Sequence, residues 1–336
     1  MKSWIKITGL TLLWGIIACN SGEPKENGKA NILEMPPYAG ITDSIRMDEK
    51  NRELYIRRAG LLNQQGEHEL AYKDLEKAWE LAPSEPLAEA LVNGLFMMGK
   101  NERALNLLNE LTNSYPNNTN LKRRMGEALL HSGKYNQAIA AYEKMTEEDS
   151  LDFESYYEKG LLYMEMKDTA AALRDLETSF RIQPIQMTAL SLANIYAEIK
   201  NPRALELADM VISRDSAREN VDPVFIKGIY YANIKNTAKA LEQFNQVIRM
   251  DWKFHEAYIE KGIIYFEQKN LDEALQQFKL ASTVTNTFPD AYYWQGRCYE
   301  ELGMKDEALA SYSRAYALDK TFTEAIEGAE RIRGRK

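Results

Sequence analysis

The stretch HEAYIEKGIIYFEQKNLDEALQQFKLASTVTNTF (255–288) is followed at once by PDAYYWQGRCYEELGMKDEALASYSRAYALDKTF (289–322), and the second is the first rewritten. Tyr258, Gly262, Tyr265, Ala274, Phe278 and Ala281 recur 34 positions later as Tyr292, Gly296, Tyr299, Ala308, Tyr312 and Ala315. The first three of each set fall at i, i+4 and i+7, one face of a helix, and the last three repeat that spacing on a second helix. A small residue at 262 lets the two helices approach, and the aromatic at 278 fills the groove beside it. One such hairpin cannot bury its apolar face alone, so copies must stack. The period therefore predicts an all-α solenoid.

The alanine that opens each second helix serves as a ruler along the rest of the chain. It stands at Ala71, Ala104, Ala138, Ala172, Ala204, Ala240, Ala274 and Ala308, and the small residue of the first helix at Gly60, Gly94, Gly126, Gly160, Ala193, Gly228, Gly262 and Gly296. About eight repeats result: 52–84, 85–118, 119–152, 153–184, 185–220, 221–254, 255–288 and 289–322. Repeats one and two follow the pattern least closely. In repeat five the inter-helix turn around Lys200-Asn201-Pro202 reads as shortened, with the lost residues returning in Ser216–Asn220. Asn201, Asn236 and Asn270 read as helix N-caps. Residues 323–336 read as a capping helix with a basic tail, Arg331, Arg333, Arg335 and Lys336.

These residues resemble the tetratricopeptide repeat (TPR) pattern W-x2-L-G-x2-Y…A-x3-F…A, with Tyr in place of Trp. The resemblance implies a right-handed α-solenoid whose first helices line a concave face, where ligands touch the residues flanking the small position. Carried onto repeats four, six, seven and eight, the groove positions are Tyr157, Leu161 and Met164; Phe225, Ile229 and Ala232; Ile259, Ile263 and Phe266; and Tyr293, Arg297 and Glu300. Acids stand at the helix starts (Glu154, Asp222, Glu256, Asp290) and towards their ends (Glu165, Glu267, Glu301). Two readings compete for this set. In one, the apolar residues are inter-repeat packing and the acids partner the helix dipole. In the other they form a peptide groove that takes an apolar or aromatic segment with basic character. The Lys/Asn/Arg constellation of carboxylate-clamp TPRs is absent from these positions.

The N-terminus reads as a processing segment. Lys2 and Lys6 precede the apolar run Ile7–Ala18, which has signal-peptide proportions and is too short to span a bilayer. Ile16-Ile17-Ala18-Cys19 resembles the bacterial lipobox, which implies lipidation of Cys19 and removal of 1–18. Residues 19–51 read as a flexible tether of low apolar content, interrupted by Met35-Pro36-Pro37-Tyr38. The acidic, lysine-containing start after Cys19 resembles the export tags of surface lipoproteins in Bacteroidota-like bacteria. The other cysteine, Cys298, is expected to be a small buried hydrophobe.

Composition narrows the function. The chain has 336 residues, 42 Lys+Arg against 50 Asp+Glu and a net charge of −8, which disfavours nucleic acid. Its three histidines, His68, His131 and His255, show no metal-ligand spacing, and no phosphate loop or nucleophile elbow occurs. No catalytic residue, metal, cofactor or small-molecule substrate is therefore expected. The leading expectation is a non-enzymatic scaffold, lipid-anchored at the cell envelope, at the outer membrane with its face undecided, that binds envelope proteins or peptides. The alternative is a carbohydrate-binding or polysaccharide-export accessory lipoprotein using its tyrosines together with Trp79, Trp252 and Trp294 as stacking platforms.

Overall fold

The computed structural model describes residues 32–217 and 219–334. The signal peptide over 1–18, lipidation at Cys19 and the tail residues Arg335 and Lys336 lie outside the described residues. Among the described residues are eighteen α-helices, one 3-10 turn (Ile32–Glu34) and no strand. After α1 (Ala39–Met47), sixteen helices follow along the chain in eight successive pairs: α2 (Arg52–Gln64) then α3 (His68–Leu81), α4 (Glu85–Met97) then α5 (Asn101–Ser114), α6 (Thr119–His131) then α7 (Tyr135–Glu148), and α8 (Phe153–Glu165) then α9 (Thr169–Ile182). Then come α10 (Gln186–Glu198) with α11 (Arg203–Arg214), α12 (Asp222–Asn233) with α13 (Thr237–Met250), α14 (His255–Glu267) with α15 (Leu271–Val284), and α16 (Pro289–Glu301) with α17 (Lys305–Leu318). The last helix, α18 (Thr323–Gly334), has no partner of its own. This is an α-solenoid, as the 34-residue period requires.

The chain divides into two compact units, one ending at Ala104 and the other beginning at Leu105. The first opens with a departure from expectation. The described part of the segment expected to be a tether is built structure, because Tyr38, Thr42 and Ile45 recur at i, i+4 and i+7 and bury one face of α1. Thr42 Oγ1 donates to the Leu33 carbonyl at 2.7 Å and accepts from Arg58 Nη1 at 3.0 Å. Arg58 in turn grips Asp74 with two 2.7 Å bonds in a buried, bidentate ion pair between α2 and α3.

The register of repeats one and two also needs correction. A Cβ on Gly60 would meet nothing within 4 Å. The close-approach residue, eighth in its helix, is Ala59 in α2 and Val92 in α4, at 1% and 0% exposure. Seven residues after that position every hairpin turns through a left-handed residue. It is Gly66, Gly99, Gly133 and Gly303 in four hairpins, and Lys167, Lys200, Lys235 and Lys269 in the others. Repeat five keeps this turn, since Lys200 has φ 62° and Asn201 N–H reaches the Tyr196 carbonyl at 2.8 Å as in its neighbours. After Asn201 the connection is one residue shorter, as expected: Ala204 N–H bonds to the Asn201 carbonyl three residues back, where Ala172 and Ala240 bond four back, and the chain makes up the difference in the longer link before α12. Asn236 caps α13 as expected, accepting from the Lys239 backbone, whereas α11 starts after Pro202, which takes the N-cap position, and Asn201 one residue earlier accepts from the Arg203 backbone. Asn270 makes no side-chain cap bond, whereas Asn118, Asp152 and Asp168 do.

In the second unit, successive first helices touch one another from α10 through α12, α14 and α16 to α18, while second helices have at most marginal contact with each other. First helices therefore lie on the shorter, inner side of that run. Tyr142, Phe244, Phe278 and Tyr312 fill the hairpins, each exposed by 2% or less, against Gly126, Gly228, Gly262 and Gly296. At the C-terminal end α18 covers Tyr312 with Gly328 and carries Arg331, which holds Glu300 in a bidentate pair at 2.7 and 2.7 Å.

Candidate functional site

On the first helices of the second unit, each groove position has neighbours on two sides, and packing claims several of them. Tyr157, Phe225, Ile229, Ile259, Phe266 and Tyr293 are buried, at 5–9% exposure. Phe225 sits 5.5 Å from the Phe244 ring and 4.9 Å from Phe254, linking its own hairpin to the next. Tyr293 lies against Trp294, Tyr312 and Phe322. Their surface is spent on neighbouring helices, as the packing reading requires. Leu161, Met164, Ile263 and Arg297 remain half-exposed on the same inner side.

Arg297 is held in an unusual way. Its guanidinium lies 5.4 Å from the Phe266 ring centre, 5.8 Å from Trp294 and 6.0 Å from Tyr293, and it donates to the Tyr293 hydroxyl at 3.1 Å. These rings offer π-faces to the cation in place of a carboxylate. Trp294 also stacks on Phe278 at 5.6 Å, so it is not an open platform for a sugar. Trp252, 62% exposed, is the remaining flat surface of that kind in this unit.

The acids separate into paired and unpaired groups. Glu154 binds Arg123 at 2.9 Å, Glu267 binds Lys235 at 2.8 Å, Glu301 binds Lys269 at 3.0 Å, and Glu300 is taken by Arg331 and the Tyr312 hydroxyl. Glu260 is different. It is 8% exposed, two residues before Gly262, and its side chain makes no hydrogen bond or ion pair among the described residues. Burial pushes its carboxyl up to about 8, and the charges of Glu198, Glu267 and Asp290 push the same way. Glu158 occupies the same place in repeat four, where burial, then Glu127, raise it to about 7. Asp222 and Asp290 are likewise raised, first by burial and then by neighbouring acids.

Glu158 and Glu260 were not among the sequence candidates. The available signal was their common offset from the glycine, which marks a position but carries no information about burial. Cys298 is fully buried, with its thiol pushed up to about 12 by desolvation, and has no partner cysteine among the described residues. Among the described residues no three His, Cys, Asp or Glu side chains come together as metal ligands would. No described helix is long and apolar enough to cross a membrane.

Sequence profiles described as tetratricopeptide repeat match residues 53–85 and 153–186, 95–162, 227–283 and 289–322. These are tetratricopeptide repeats. No curated protein matches the TPR chain in sequence. Among solved structures it is similar to a tetratricopeptide repeat protein from Parabacteroides merdae, at 16% identity and a TM-score of 0.58 over 84% of this chain and 99% of that one. It is also similar to the APC/C hetero-tetramer Cut9–Hcn1 (15% identity, TM-score 0.55, 86% of this chain and 57% of that one). A third similar structure is PilW, a type IV pilus biogenesis factor (16%, TM-score 0.53, 62% and 96%). At these identities the likeness concerns the TPR fold. That fold supports binding of protein or peptide partners.

Proposed function

We propose that this TPR protein is a non-enzymatic scaffold that binds partner proteins through extended peptide segments laid along the inner side of its first helices. The observation that supports it is the character of what packing leaves uncovered there. Leu161, Met164 and Ile263 are apolar and only half-buried, and Glu260, on the helix that carries Ile263, has no side-chain partner among the described residues. Apolar pockets give a segment affinity, and placed charges give it orientation. The lipobox-like Ile16-Ile17-Ala18-Cys19 supports a second component, attachment of the scaffold to a bacterial cell envelope, at the outer membrane, through acylated Cys19.

A photo-crosslinking residue placed at Ile263 or Arg297 is expected to capture a defined protein in intact cells, while the same probe at Lys279 on α15 does not. Equal capture at all three positions, or none, sinks the inner-face reading. Labelled palmitate entering the wild-type chain and not Cys19→Ser tests the anchor separately.

A further inference from the structure

Among the described residues three acids are buried: Asp74 at 6%, Asp175 at 3% and Glu260 at 8% exposure. Two of them carry a cation from their own chain. Asp74 has Arg58 at 2.7 Å, and Asp175 has Lys159 at 3.5 Å with Arg174 at 3.2 Å. Burying a carboxylate without such a partner costs several kcal/mol, roughly, so an internal cation is the usual solution. Glu260 has none. No lysine, arginine or hydrogen-bond donor of the described residues reaches it.

Its surroundings make the omission more pointed. The charges that act on it belong to Glu198 near the end of α10, Glu267 at the end of its own α14 and Asp290 at the start of α16, all on first helices and all negative. Glu260 stands on α14, one of the first helices that line the inner side of the run, as do the acids that act on it. Ile263, three residues on and therefore on the same helical face, is half-exposed beside it. Purely structural packing at this position would be served at lower cost by leucine or glutamine.

We infer that Glu260 is the anchor for a lysine or arginine side chain of the bound segment, with Ile263 receiving an apolar neighbour of that residue. The cation supplies what Arg58 supplies to Asp74, but in trans. The pair forms in a low-dielectric site, where a charge-assisted hydrogen bond is strong. Occupied, Glu260 is ionised; empty, it retains its proton. Segments with an acid or a bulky apolar group in that place are rejected, because each leaves the Glu260 carboxyl without a cation.

This assignment rests on the inner-face reading above, and one experiment separates the two. A phage-displayed library of random dodecapeptides is panned on the purified chain and on Glu260→Gln. The expected result is enrichment of Lys or Arg next to an apolar residue on the wild type, and loss of that bias on the variant. The best synthetic peptide should then bind the wild type at least tenfold more tightly than its Lys→norleucine form, with that ratio falling towards one in Glu260→Gln. Selection of peptides with no basic bias, or with the same bias on both proteins, overturns the anchor and leaves the scaffold standing. No selected peptide overturns both. Because Glu260→Gln exchanges a buried, protonated carboxyl for a neutral amide of the same shape, its thermal midpoint should equal or exceed that of the wild type; a clear drop would show the carboxyl to be structural, and would also overturn the assignment.

Discussion

A methyl group on Gly262 would stand 2.7 Å from Cδ1 of Phe278, closer than real side chains pack. Phe278 is fully buried and has nowhere to swing. Gly262→Ala should therefore destabilise the protein by about 1–3 kcal/mol through overpacking, although alanine is the better helix former. Gly60→Ala is the control, since that Cβ would meet open space in the middle of α2, and it should stabilise by about 0.5–1 kcal/mol. Urea unfolding of the two variants checks both signs; the same sign for both would contradict the packing described.

The Arg58–Asp74 pair is two-pronged and nearly sealed from water. Breaking it by Asp74→Ala leaves a guanidinium stranded and should cost about 3–5 kcal/mol. Replacing both partners together, Arg58→Met with Asp74→Leu, should recover most of that loss. A double-mutant cycle by denaturant titration measures the coupling.

Lys200 turns its hairpin at φ 62°, where a β-carbon is unwelcome, while four equivalent turns use glycine. It is exposed. Lys200→Gly should raise stability by roughly 0.5–1 kcal/mol, the backbone relief outweighing the entropy that glycine adds to the unfolded chain. A lower thermal midpoint would mean that the lysine is held there by a contact.

Stability should fall as the solution is made alkaline through neutrality. Glu260 is raised to about 8 in the folded chain, and Glu158 to about 7, both chiefly by burial, so the folded state holds protons that the unfolded state has given up. Between the ordinary glutamate range and pH 8 the native state therefore binds more protons, and the slope of stability with pH is negative. The contribution is fully present below the ordinary glutamate range and is gone once pH has risen through about 8. Thermal midpoints from pH 5 to 8.5 should drop for the wild type and drop less for Glu260→Gln.

The hairpins were legible because their residues repeat. Ala274, Phe278 and Ala281 bury one face whatever surrounds them, so spacing alone located α15 and its copies. Gly60 and Gly94 mislead because glycine itself is not the physical requirement; a side chain that fits the volume opposite is, and the buried Ala59 and Val92 hold that position. The helix Ala39–Met47 was hidden behind two prolines, and its apolar stripe is only three residues long. The candidate groove was half legible. A one-dimensional pattern shows that Phe225 and Ile263 occupy comparable places, but it cannot show that Phe254 closes over one and leaves the other partly open. Glu260 is the strongest case, since an acid on a soluble helix looks ordinary until its solvent is counted.

The line of touching first helices from α10 to α18 has a mechanical meaning. Along it each second helix packs on the first helix of the next hairpin and has at most marginal contact with the next second helix, so lengthening the run must open the contacts between hairpins, those between first helices included. A chain of residues lying across several hairpins on the inner side behaves as a strut: it ties them together, and tension on the array loads the strut before it unfolds a hairpin. An occupied scaffold of this kind is a stiffer object than an empty one.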